Sequence, residues 1–103
     1  MSFTGNETHK ILLSEAKEMT AAYRATMTAA DIKGGYFSKS EILGLLRQDD
    51  CVGFRYYYGI DNGQKVLVLV GADRDENDLV TGIILERAIP CPNQCSEDND
   101  LNS

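Results

Sequence analysis

The dipeptide Asn62-Gly63 limits the possible folds of this chain more than any other part of its sequence. It separates two apolar runs, residues 52–60 and 66–72, and the first run has the aromatic-rich alternation of a β-strand. A two-residue type I′ turn needs positive φ at both of its positions, which Asn and Gly tolerate best. The sequence therefore predicts an antiparallel hairpin in which Asp61 faces Gln64.

A two-residue loop also determines the register of the hairpin. It places Tyr58 opposite Leu67, Tyr57 opposite Val68, Tyr56 opposite Leu69 and Arg55 opposite Val70. Both faces are then apolar: one carries Phe54, Tyr56, Tyr58, Ile60, Leu67 and Leu69, and the other carries Gly53, Arg55, Tyr57, Gly59, Val66, Val68 and Val70. A sheet with one solvated face would alternate polar and apolar residues, so we expect each face to be covered.

One interpretation of the second face is a protein interface. In one form of this interpretation the helices pack on one face of the sheet and a second copy of the chain covers the other face. In the other form one helix packs on each face. In the dimer the candidate interface residues are Val66, Val68, Val70 and Tyr57. A two-fold interface suits such a patch because the patch meets itself and symmetry closes the assembly.

The alternative interpretation is a binding site for a small anionic ligand. Gly53 and Gly59 would leave a shallow trough floored by valines. Arg55 would supply a positive charge there and Tyr57 a hydroxyl group.

Two helices are predicted before the hairpin. The first covers residues 5 to about 30, starting at a capping box of Thr4 with Glu7 or at Thr8, and it ends at Lys33-Gly34-Gly35. Its apolar stripe is Leu12, Ala16, Met19, Tyr23 and Met27. The second covers residues 39–48 after a capping box at Ser38-Lys39-Ser40-Glu41, with Ile42, Leu45 and Leu46 on its buried side.

The hairpin is followed by an acidic loop, residues 73–78, and by a third strand over residues 79–86. The predicted fold class is therefore α+β, with two N-terminal helices followed by a three-stranded antiparallel β-meander. Residues 1–96 form a single domain, because the chain is too short for two ordinary cores. Residues 97–103 are predicted to be a frayed acidic tail.

Charge and composition exclude several classes of partner. Sixteen acidic against ten basic residues give a net charge of −6, which disfavours nucleic-acid binding even though aromatic rings line the first strand. The longest apolar run, residues 66–72, is far too short to span a membrane, and the N-terminus has no signal-peptide pattern. The prediction is a cytoplasmic protein, and three cysteines agree with a reducing compartment.

The terminal cysteines Cys91 and Cys95 are a candidate redox pair, although their three-residue spacing matches neither a thioredoxin-like motif nor a usual zinc knuckle. Recruiting Cys51 and His9 as further zinc ligands would require distant segments to converge. The alternating Asp73, Asp75 and Asn77 resemble the start of a calcium loop, but Asp78 and Ile84 occupy the positions of its glycine and glutamate. These arrangements predict no metal and no cofactor.

Five short runs of the chain resemble a set of short bacterial proteins of uncharacterised function. They are Gly35-Tyr36-Phe37, Cys51-Val52-Gly53-Phe54-Arg55-Tyr56-Tyr57-Tyr58-Gly59, Val68-Leu69-Val70-Gly71-Ala72-Asp73, Asn77-Asp78 and Cys91-Pro92-Asn93-Gln94-Cys95-Ser96. The resemblance covers roughly residues 34–96. It implies a stand-alone domain and assigns no catalytic residue.

No catalytic constellation is visible in the sequence. The only histidine, His9, lies on a polar turn, and no serine or cysteine has a flanking nucleophile motif. The prediction is a non-enzymatic interaction or binding domain that self-associates through its sheet. The alternative is an anion-binding or thiol-dependent protein that uses the Arg55 and Tyr57 face or the terminal cysteines.

Overall fold

The computed structural model describes residues 2–103 and shows an α+β chain with two helices and antiparallel strands. In chain order the elements are α1 (Leu13–Arg24), β1 (Gly34–Tyr36), α2 (Lys39–Leu46), β2 (Gly53–Asp61), β3 (Gln64–Ala72), β4 (Ile84–Leu85) and β5 (Ile89–Cys91). The chain divides into two compact units. Residues 2–8 and 37–88 form unit 1, with α2 and β2 to β4, while residues 9–36 and 89–103 form unit 2, with α1, β1 and β5.

The hairpin of β2 and β3 confirms the predicted register at every position. Asp61 pairs with Gln64, and Tyr57 pairs with Val68. The turn residues Asn62 and Gly63 have φ of 51° and 78°, as a type I′ turn requires.

Helix α2 begins where the capping box predicts. The Ser38 hydroxyl accepts a hydrogen bond from the Glu41 N–H at 3.2 Å, which satisfies one of the unpaired donors of the first turn. Leu45 is fully buried and Ile42 packs beside it. The prediction for Leu46 was wrong: this side chain is 38% exposed, and Leu43 is half-buried instead.

The core of unit 1 lies at one end of the hairpin. Leu45 from α2, Leu69 from β3 and Leu85 from β4 form its centre, with Phe37 and Ile42 packed against it. The sheet face that carries Leu69 is therefore covered by α2 only near this end. Val70 and Ala72 are buried on the opposite face.

The predicted third strand over residues 79–86 was too long. Only Ile84 and Leu85 pair with β3, and the bridge between Ala72 and Asp78 is isolated. A turn separates the two pairings, because the Gly82 N–H donates to the Leu79 carbonyl at 3.0 Å. The strand order is β2-β3-β4.

The strands form two sheets, one of three strands and one of two, where the sequence predicts one meander after two helices. In unit 2, β1 pairs antiparallel with β5, matching Gly34 with Cys91. Gly34 and Gly35, which the sequence predicts as the end of the first helix, therefore lie in a strand. A disulfide joins Cys91 and Cys95 just after this pairing.

The first helix is shorter than residues 5 to 30. Neither Thr4 nor Thr8 caps it: the Glu7 carboxylate accepts the N–H groups of Thr4 and Gly5 in a local turn, and α1 starts after Leu12. At the other end the Thr26 hydroxyl donates to the Tyr23 carbonyl at 2.7 Å, competing with helix continuation.

Backbone carbonyls of the C-terminal segment accept hydrogen bonds from two basic side chains of unit 2, Arg24 of α1 and Lys33. The Arg24 guanidinium donates to the carbonyls of Leu101 and Ser103. Lys33 Nζ donates to the Asn102 carbonyl at 2.7 Å. The single domain over residues 1–96 and the frayed tail stay predictions.

Candidate functional site

Two side chains of β2 share one carboxylate. Arg55 and Tyr57 lie two positions apart on the same strand and therefore point to the same face. The Arg55 guanidinium forms an ion pair with Asp78, and the Tyr57 hydroxyl donates to Asp78 Oδ2 at 2.5 Å. Arg55 also donates to the Glu76 carbonyl at 3.2 Å.

A tight turn in the acidic loop places Asp78 at this face. Asp73 Oδ1 accepts the N–H groups of Asp75 and Asn77, both at 2.9 Å, as Asp side chains in turns commonly do. Glu76 takes a positive φ of 69° within this turn. The chain then returns so that Asp78 bridges to Ala72.

The contact between the Asp78 carboxylate and the Tyr57 hydroxyl shifts the pKa values of both groups. The hydrogen bond from Tyr57, together with the hydrogen bond and charge of Arg55, lowers the pKa of Asp78 below its ordinary 3.8. The hydrogen bond to Asp78, with partial burial, raises the pKa of Tyr57 above its ordinary 10.0. At neutral pH the positive charge of Arg55 is thus balanced inside the chain by an ionised Asp78.

The N-terminal segment adds an aromatic contact to this cluster. The Arg55 guanidinium carbon lies 5.6 Å from the centre of the Phe3 ring, within the range of a cation–π interaction. The Phe3 N–H donates to the Arg74 carbonyl at 2.9 Å. Neither Phe3 nor Asp78 was predicted as a partner of Arg55, because no local sequence pattern connects them to β2.

The two glycines of the proposed trough have different surroundings. An added Cβ at Gly59 would lie 3.3 Å from one methyl group of Val66 and 3.6 Å from one of Val68. An added Cβ at Gly53 would meet nothing within 4 Å. The open space on this face of β2 therefore lies at Gly53, beside Arg55.

The candidate interface residues differ in accessibility. Val70 is only 4% exposed, so the chain itself already buries it. Val66 and Val68 are half-buried, and Tyr57 is exposed. The accessible part of this candidate patch is therefore its half nearer the turn.

The opposite face of the hairpin exposes aromatic rings. Tyr56 and Tyr58 pack edge to face with their centres 5.6 Å apart. Lys65 Nζ lies 4.5 Å from the centre of the Tyr58 ring. Tyr58 is 66% exposed and Ile60 is 81% exposed, so large apolar side chains face solvent here.

The outer edge of β2 carries no paired strand. Among residues 2–103, β3 is the only strand that pairs with β2. The nine residues of β2 contain no proline and no lysine, two common means of blocking an exposed edge.

The candidate redox cysteines are bonded to each other in unit 2, with their Cα atoms 4.8 Å apart. Cys51 is a half-buried free thiol in unit 1 that donates to the Gly53 carbonyl. Across the described chain, no three His, Cys, Asp or Glu side chains are grouped so that they could hold a metal ion.

Comparisons with models of known protein families, with curated proteins and with solved structures found no match. Neither of the two helices in residues 2–103 has the length and apolar character needed to cross a membrane.

Proposed function

We propose that this protein is a small, non-enzymatic interaction module of the cytoplasm that forms a homodimer through the hairpin of β2 and β3. The observation that carries the proposal is the distribution of apolar side chains along the hairpin. The core packs against one end, around Leu69. Exposed apolar side chains lie on both faces of the other end.

We call this other end, residues 56–68, the outer hairpin. Its exposed large side chains are Tyr56, Tyr57, Tyr58, Ile60 and Leu67. Monomeric proteins seldom expose a continuous apolar patch of more than a few hundred Å², and larger patches commonly mark interaction surfaces. Aromatic residues are also enriched in the buried centres of protein interfaces.

Charge favours a second copy of the chain as the partner. The whole chain carries −6, so most approaches between two copies are repulsive. Within residues 53–72 the charged side chains are only Arg55, Asp61 and Lys65, two basic and one acidic. Asp78 of the following loop pairs with Arg55, so the hairpin surface is close to neutral and two copies meet there without the repulsion of the acidic remainder.

The internal partner of Arg55 favours this function over binding of a small anion. A ligand carboxylate or phosphate at Arg55 would compete with Asp78. Asp78 has the advantage because it belongs to the same chain and loses no translational freedom when it pairs with Arg55. Arg55 and Tyr57 are better explained as groups that hold the acidic loop against the hairpin.

A thiol-dependent role is the second candidate, favoured by the bonded pair Cys91 and Cys95. Disulfides are rare in the cytoplasm except where they exchange with other thiols. Exchange with an external dithiol would run in two steps: its thiolate attacks one sulfur and releases the other as a thiolate, and its second thiol then resolves the mixed disulfide. The external dithiol is oxidised and the pair is reduced.

The substitution Ile60→Glu tests the interaction module. Because Ile60 is 81% exposed, we expect the variant to fold, while a carboxylate in an apolar interface would prevent association. Sedimentation velocity at micromolar concentration should show a dimer for the parent and a monomer for the variant, and circular dichroism should show the same fold for both.

Val80→Glu is the matched control. Val80 is 67% exposed, lies in unit 1 outside the hairpin, and receives the same charge, so this variant should remain dimeric. A parent that sediments as a monomer at micromolar concentration contradicts self-association. An Ile60→Glu protein that stays as dimeric as Val80→Glu contradicts the role of the hairpin.

A further inference from the structure

We infer that the dimer forms by antiparallel pairing of the two β2 edges about a two-fold axis at Tyr57, which joins two three-stranded sheets into one sheet of six strands. This inference rests on the proposed self-association and specifies its geometry. The contact it names is main-chain pairing at a strand edge rather than packing of one sheet face on another.

The hairpin determines which backbone groups face the free edge. In a two-residue hairpin Asp61 and Gln64 exchange hydrogen bonds, and such pairs alternate along the strands. A hydrogen bond on the edge of β3 that faces away from β2 agrees with this alternation. Gly71, the partner of Phe54, has its carbonyl bonded to the Leu79 N–H at 2.9 Å, away from β2.

The even-numbered residues of β2 consequently direct their backbone N–H and C=O groups away from β3. These residues are Phe54, Tyr56, Tyr58 and Ile60. A row of unpaired backbone donors and acceptors on a nine-residue strand is a template for a further strand.

A two-fold axis at Tyr57 pairs all nine residues of β2 with the partner strand, because Tyr57 is the middle residue of Gly53–Asp61. Phe54 then faces the partner's Ile60, and Tyr56 faces the partner's Tyr58. Both pairs join large apolar side chains on the aromatic face. Shifting the axis along the strand leaves residues unpaired at the ends and gives fewer hydrogen bonds.

The other face of the pairing is complementary in size. Arg55 faces the partner's Gly59, which has no side chain to obstruct it. Gly53 faces the partner's Asp61, and the space beside Gly53 is open. The partner's Asp61 is thereby a diagonal neighbour of Arg55, whose positive charge Asp78 of its own chain already balances.

Hydrogen exchange of the unmodified protein tests the pairing. We expect the amides of Tyr56 and Tyr58 to exchange slowly at protein concentrations that give dimer and at least about tenfold faster on dilution to monomer. The amides of Tyr57 and Gly59 face β3 and should be protected at both concentrations.

The outcomes separate the pairing from the function on which it rests. A parent that is monomeric at every concentration contradicts both proposals. A dimer in which the amides of Tyr56 and Tyr58 exchange equally fast at all concentrations leaves self-association intact and contradicts edge pairing.

Cysteine cross-linking gives a second measurement, in a Cys51→Ala background that removes the free thiol. Residues that face themselves across the axis have Cα atoms about 4.5 to 5.5 Å apart, which suits a disulfide. Tyr57→Cys should therefore form a cross-linked dimer under mild oxidation. In Ile60→Cys the two thiols would be about 20 Å apart along the strands and should not react.

Preferential cross-linking of Ile60→Cys, or of Val68→Cys on the sheet face, would overturn edge pairing in a protein that still dimerises. Circular dichroism shows whether each variant is folded, and the hydrogen-exchange result stands without any substitution.

Discussion

The carboxylate of Asp78 connects two residues of β2 to the loop that follows β3. The stability that these contacts provide decreases both in acid and in alkali. The lowered pKa of Asp78 means that the folded state favours the ionised form, so this stabilisation is present above the ordinary carboxyl pKa and is lost as the pH falls below it. The raised pKa of Tyr57 means that its stabilisation is present below the ordinary phenol pKa and is lost in strong alkali.

Asp78→Asn should lower the pKa of Tyr57 toward 10.0, because the substitution removes the negative charge and the strong acceptor. The pKa can be followed from the ring chemical shifts of Tyr57 by NMR. The matched control is Asp75→Asn, since Asp75 is exposed in the same acidic loop and its removal should leave that pKa unchanged. An unchanged Tyr57 pKa in Asp78→Asn would contradict the hydrogen bond.

The sequence predicted some of the residues around Arg55 but not others. The hairpin register correctly places Arg55 and Tyr57 on one face, because a two-residue turn specifies every pairing that follows. Asp78 and Phe3 could not be identified in this way. They reach Arg55 through a loop of six residues and through the N-terminal segment, and no periodicity connects these to the strand.

Among the helices and strands, local sequence patterns predicted the structure well where the residues of the pattern bond to each other. Asn62-Gly63 gives the hairpin, and Ser38 with Glu41 gives the start of α2. The similar pattern at Thr4 and Glu7 was misleading, because its side-chain bonds close a turn that no helix continues. The pairing of β1 with β5 was missed because it joins segments that are distant in sequence, and a three-residue strand has no clear pattern.

The turn of the hairpin can be tested directly. Gly63→Val should destabilise the protein by about 1 kcal/mol or more, because a β-branched residue resists positive φ. An added Cβ at Gly63 would meet nothing within 4 Å, so the cost comes from backbone conformation rather than from a clash. Urea unfolding monitored by circular dichroism measures the difference.

Two substitutions at the same position serve as controls for that measurement. Gly63→Ala should cost less than Gly63→Val, and Gly63→Asn should cost least because Asn tolerates the left-handed region. Equal stability of the Val variant and the parent would contradict the type I′ turn.

The two units carry the two candidate activities separately. Unit 1 contains the hairpin and the residues of the proposed dimer, and unit 2 contains the disulfide. The sheet of unit 2 is small: β1 and β5 have three residues each, and the Lys33 N–H donates to the Cys91 carbonyl beside the disulfide. A short two-stranded sheet is marginal alone, so we expect it to depend on this link.

Reduction of the disulfide should therefore act on unit 2 and leave the hairpin unchanged. With a dithiol reductant, or in the double variant Cys91→Ser with Cys95→Ser, the amides of β1 and β5 should exchange about tenfold faster or more, since the closed loop no longer limits the unfolded states of this segment. Exchange in β2 and the sedimentation of the dimer should stay as in the parent, and Cys51→Ala is the control for loss of a thiol elsewhere. Unchanged exchange in β5 after complete reduction would show that the bond does not hold this sheet. A dimer that dissociates on reduction would contradict the separation of the two activities and would make the thiol pair a regulator of association.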